Sequence, residues 1–100
     1  MKSTAFDMAM MAYRQNDMEG AFRQFLPLAE TGDADAMNMA ANMFERGQGT
    51  YRDPGRAVFW WKIAVELGNV DALADYGQYL VTTFFDGKEQ KLGAGYLVTA

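Results

Sequence analysis

The sequence predicts an all-α chain, a short right-handed α-solenoid of about two and a half antiparallel helix pairs, and three observations predict it. The first is self-similarity. A shift of thirty-six residues lays Asp17 on Asp53, Ala21 on Ala57, Phe25 on Trp61, Glu30 on Glu66, Gly32 on Gly68, Asp33 on Asn69, Asp35 on Asp71 and Ala36 on Ala72. Such a run of like-for-like matches at one offset marks a repeated supersecondary unit. The second is period. Small or aromatic residues recur every four positions as Ala5, Ala9 and Tyr13, then as Ala36, Ala40 and Phe44, then as Ala72, Tyr76 and Leu80, which puts each trio on one helical face. The third is that no segment alternates apolar and polar residues over a useful length, so no strand is expected.

Helices are expected near residues 3–15, 18–31, 34–46, 54–67, 70–83 and 89–100, in units of about 3–32, 33–68 and 69–100. The first ends at Asn16, which can take the left-handed conformation that closes a helix. Asp17 caps the second, whose stripe is Ala21, Phe22, Phe25, Leu28 and Ala29. Pro27 lies inside that helix, where its missing amide removes a hydrogen bond and is expected to bend it. Gly32 closes it, Asp33 caps the third helix and Gly47 stops that one. Asp53-Pro54 is an N-cap followed by proline at the first helical position, where no amide is needed. Ala57, Val58, Trp61, Ala64 and Val65 repeat the earlier stripe, Gly68 ends it, and Asn69 caps the fifth helix. In the last segment Gly93, Tyr96, Leu97 and Ala100 fall on Ala57, Trp60, Trp61 and Ala64. Alanine at the crossing positions lets helices approach closely, and the aromatic residue of one copy fills the space beside the next.

The stretch Ala36-x3-Ala40-Ala41-x2-Phe44-x2-Gly47-x-Gly49-x3-Asp53-x3-Ala57-x2-Trp60-Trp61-x2-Ala64-x3-Gly68 resembles the Sel-one-like repeat, a relative of the tetratricopeptide repeat with a longer inter-helix loop. Residues 35–70 carry the match closely. Residues 5–34 resemble a shorter, tetratricopeptide-like unit, and 71–100 match loosely, with Gly77 kept and Thr83 and Phe85 in place of the loop glycines. The resemblance implies a non-catalytic adaptor whose concave groove, or its edges, holds a partner protein or peptide.

Composition narrows the alternatives. One hundred residues, half of them hydrophobic and 22% charged, suit one folded domain. With no Cys and no His, zinc sites, thiol chemistry, imidazole bases and Ser–His nucleophiles are excluded together. Neither a cofactor nor a metal is expected. A net charge of −4 has the wrong sign for phosphate backbones or anionic lipid. No run of apolar residues could span a bilayer, and the opening residues meet Asp7 before any signal-like segment forms. A cytoplasmic protein is expected, one that touches neither membrane nor nucleic acid.

Gly47-Gln48-Gly49-Thr50-Tyr51-Arg52 lacks the preceding strand, the third glycine and the Lys-Ser/Thr ending of a phosphate loop. Asp33, Asp35, Asp71 and Asp75 invite a metal or acid–base reading, but carboxylates in a first helical turn serve free amides and the dipole. Trp60 and Trp61 point about 100° apart on a helix and are read as core packing rather than a ligand cage. Met39 and Met43 fill irregular gaps, whereas Met8, Met10, Met11 and Met18 are too many for one side of the first helix, so at least one is expected on the surface. With Ala36, Ala40 and Phe44 turned inward, the opposite face carries Asn38, Asn42 and Glu45, to which the neighbouring units add Asp7, Met11, Arg14, Ala74 and Gln78. These eight form the candidate partner-binding groove, with amides suited to hydrogen-bonding a peptide backbone. The alternative is self-assembly as a weak homodimer through uncovered terminal helices, at residues 5–13 and 93–98.

Overall fold

A computed structural model of the chain describes residues 4–84, which form five helices and no strand. They are α1 (Thr4–Arg14), α2 (Met18–Glu30), α3 (Ala34–Arg46), α4 (Pro54–Glu66) and α5 (Val70–Phe84). Each consecutive pair packs together, and α3 also meets α5. The expected helix over 89–100, and with it Gly93, Tyr96, Leu97 and Ala100, lies outside the described residues.

The helix ends follow from local chemistry. Asp17 Oδ1 accepts the Gly20 amide at 3.0 Å, Asp33 Oδ1 those of Asp35 and Ala36 at 3.0 and 3.2 Å, Asp53 Oδ1 that of Arg56 at 3.1 Å, and Asn69 Oδ1 that of Ala72 at 2.7 Å. Each satisfies an amide that has no partner within its own helix. At the other ends Asn16, Gly32, Gly47 and Gly68 all take positive φ. Helix α2 runs through Pro27 to Glu30.

The loop from Gly47 to Asp53 lies back on α3 and α2. The Gln48 amide donates to Met43 O and the Asp53 amide to Phe44 O, at 2.9 and 2.8 Å. Gly49 has φ +75°, and a Cβ placed there would run into the Met18 carbonyl at the start of α2. This glycine therefore answers both to a left-handed backbone and to a close approach of two segments. Neither demand involves a phosphate.

The core lies along α3. Phe25, Met43 and Trp61 are the largest fully buried side chains, each contributing about 1.5–3 kcal/mol or more by leaving water. Phe6 meets Phe25 edge-on at 5.5 Å, Phe22 meets Phe44 in the same way at 5.1 Å, and Trp61 stacks on Tyr76 at 5.7 Å. Trp60 is only partly buried and lies edge-on to exposed Phe59. Two features differ from expectation. Ala5 is exposed rather than facing the core, and its neighbour Phe6 makes the contact with α2 instead. Asn38, placed by periodicity on the open face of α3, is 7% exposed. Helix α3 is packed by α2, α4 and α5, so its buried arc is wider than one stripe.

Candidate partner-binding groove

Phe6, Asp7, Met10, Met11 and Arg14 of α1, Asp35, Asn38 and Met39 of α3, and Asp71 of α5 line an open concavity of about 570 Å³. Farther along α3, Asn42, Glu45 and Arg46 join Trp61 of α4 and Asp75, Gln78, Tyr79 and Thr82 of α5 around a smaller one of about 100 Å³. Four of the eight expected groove residues, Asp7, Met11, Arg14 and Asn38, thus share the larger depression. Asn42, Glu45 and Gln78 share the smaller, while Ala74 is exposed and lines neither.

The amides expected to await a ligand are largely in use. The Trp61 indole donates from Nε1 to Asn38 Oδ1 at 3.1 Å, and Asn42 donates from Nδ2 to Asp75 Oδ2 at 2.9 Å. Asn69 donates from Nδ2 to Asp35 Oδ1 at 2.7 Å while its own Oδ1 caps α5. Two of these bonds tie α3 and its neighbours to α5 directly, and the third fastens α4 to α3. The expectation of two free amides on α3 is accordingly corrected: burial of the indole demands a partner, and Asn38 supplies it. Glu45 is also engaged. Arg52 donates from Nε to the Glu45 carbonyl at 2.8 Å, and their charged groups lie 4.0 Å apart.

Phe6, Met10, Met39, Asp35 and Asp71 line the larger concavity without having been picked out as groove residues. A sequence signal for two of them exists. Asp35 and Asp71 continue the stripes Asn38-Asn42 and Ala74-Gln78 by one turn toward the helix N-terminus, at repeat-equivalent positions. Phe6, Met10 and Met39 read equally well as core residues, and they do pack against the core while remaining partly accessible.

Chemically the concavity offers carboxylates, one guanidinium, thioethers and an amide. Among the described residues no group of three or more Asp or Glu side chains could hold a metal ion, and no helix is long and apolar enough to cross a membrane. Met8 and Met11 on α1 are each 57% exposed, in line with the expected surplus of methionine on that helix. No protein-family model, curated protein or solved structure matches the chain.

Proposed function

We propose that the chain is a non-catalytic protein-interaction module, an adaptor or scaffold that holds another protein or a peptide along the concavity lined by α1, α3 and α5. One observation carries this reading: three helices, each the first of a sequence copy, contribute side chains to one open depression. A short right-handed α-solenoid of Sel-one-like repeats would present such a surface, since stacking helix pairs brings their first helices side by side. Half-buried methionines on its floor suit contact with a partner, because a flexible thioether adapts its shape. Site-specific photo-crosslinking tests it. A cross-linker at Met11 should capture a protein that the same group at Phe59, on the exposed side of α4, does not. That protein, once purified, should bind the chain with fixed stoichiometry in calorimetry. Capture at Phe59 alone would move the binding surface off the groove.

Self-association is the second reading, favoured by the exposure of Met8 and Met11 on the first helix. It expects light scattering to report a concentration-dependent dimer that Met8→Glu abolishes. A monomer at every concentration removes it. The other end proposed for such contact, residues 93–98, lies outside the described residues.

A further inference from the structure

We infer that residues 89–100 of this chain cover the open face of α5, standing to α5 as α4 stands to α3. Helix α5 carries two apolar faces. Ala72, Tyr76 and Tyr79 join the core, with both tyrosine rings against Trp61 of α4. Leu73, Gly77, Leu80 and Phe84 recur every three or four residues and form a second stripe. Leu73 is 57% and Phe84 47% exposed, Leu80 is half-buried, and a Cβ at Gly77 would meet nothing. A helix apolar on two sides suits a place between two neighbours, and every other described helix precedes α5 in the chain.

The thirty-six-residue repeat indicates what belongs there. On α3, which has α2 packed before it and α4 after it, the equivalent positions Met37, Ala41 and Phe44 are all buried. Helix α5 has its counterpart of α2 in α4 but, among the described residues, no counterpart of α4. The chain that leaves Phe84 supplies one in sequence. At the same offset the buried Ala57, Trp61 and Ala64 of α4 become Gly93, Leu97 and Ala100, and the capping Asp53 becomes Glu89. A second, independent observation is a paired exchange. Asn38 accepts the buried Trp61 N–H at 3.1 Å, and at the same offset Asn38 becomes Ala74 while Trp61 becomes Leu97. Donor and acceptor vanish together, which suits a contact of residue 97 with residue 74, because an amide buried against leucine would lack a partner. Ala74 is exposed among the described residues.

The test is NMR on the full 100-residue chain. Nuclear Overhauser contacts are expected between the Leu97 methyls and the Ala74 methyl, and between residues 93–100 and Leu73. An isotope-filtered experiment on an equal mixture of labelled and unlabelled chains should find them within one chain. Amides of 93–100 should be protected from exchange, and Leu73→Ser should speed their exchange about tenfold, as for the loss of one buried leucine contact. Amides of α1 and α3 should keep their rates in that variant. Contacts found only between chains give the face to a second copy and overturn its assignment to the chain's own segment. Absence of contact with α5, exchange of 93–100 at the rate of an unfolded peptide, or rates indifferent to Leu73→Ser overturns the cover altogether.

Discussion

The Trp61 indole of α4 and the Asn38 amide of α3 are joined by a 3.1 Å hydrogen bond between two buried side chains. The same indole ring stacks on Tyr76 at 5.7 Å and meets Tyr79 at 5.4 Å, both on α5. One side chain therefore links three helices, by a directional bond on one side and ring packing on the other. A buried N–H left without a partner costs more than the made bond contributes, which gives Asn38 a structural duty at the back of the groove.

Asn38→Leu should accordingly destabilise the fold by about 1–3 kcal/mol, the penalty for an unsatisfied buried donor. Combined with Trp61→Phe, which removes the orphaned N–H along with part of the buried ring, the loss should be smaller than the two single losses summed. Urea unfolding of the two single variants and the double variant gives the coupling directly. Independent, additive losses would show that the bond carries no stability.

Removing the whole ring is a larger perturbation. Trp61→Ala should cost about 3–5 kcal/mol, a large share of the stability of a small domain. Chemical denaturation that registers less than about 1 kcal/mol would place the ring in no tightly packed site.

Two glycines should respond in opposite senses to the same change. At Gly49, alanine meets both φ +75° and the Met18 carbonyl, so Gly49→Ala should destabilise by about 1–3 kcal/mol. Gly77 lies inside α5 with open space where a Cβ would go. Gly77→Ala should therefore stabilise by about 0.5–1 kcal/mol through helix propensity alone. Thermal melts of the pair decide it, and equal shifts of one sign would contradict the loop geometry.

Asn69 and Asp17 occupy equivalent caps but carry different loads. Asp17 accepts one amide at an exposed site, whereas Asn69 caps α5 and also donates to Asp35 on α3. Asn69→Ala is expected to cost about 1–2 kcal/mol for the cap plus about 1 kcal/mol for the tether, against about 1 kcal/mol for Asp17→Ala. Equal losses in differential scanning calorimetry would mean that the α3–α5 bond contributes nothing.

The helix ends were legible in the sequence because they are set by neighbours along the chain. Asp17, Asp33, Asp53 and Asn69 cap where spacing places them, and Asn16, Gly32, Gly47 and Gly68 turn left-handed as expected. What a helix faces is harder to read, since a period names one direction while α3 is covered from several. Seven of its thirteen residues are buried, Asn38 among them. The pairing of Asn42 with Asp75 and of Asn69 with Asp35 was hidden for a different reason. Each joins residues more than thirty positions apart, and an amide is as well suited to solvent as to a carboxylate. The charged lining of the larger concavity fell between these cases. Asp7 was read as a groove residue but Asp35 and Asp71 as first-turn residues, and only the spacing of three helices assembled them around one depression.

Ten of the fifteen buried apolar side chains among the described residues are alanines, and the remaining volume is held by Phe25, Met37, Met43, Phe44 and Trp61. Tolerance to mutation is consequently split in two. The alanine sites have almost no side chain to lose, so they fail by growth, when an added methyl group or ring forces apart the elements packed against them. The five large sites fail by shrinkage, leaving a void the tight alanine seams cannot collapse to fill. Enlarging a seam is therefore best tolerated when an adjoining large residue is trimmed in the same lineage, whereas volume-conserving exchanges at the five large sites stay open to single steps.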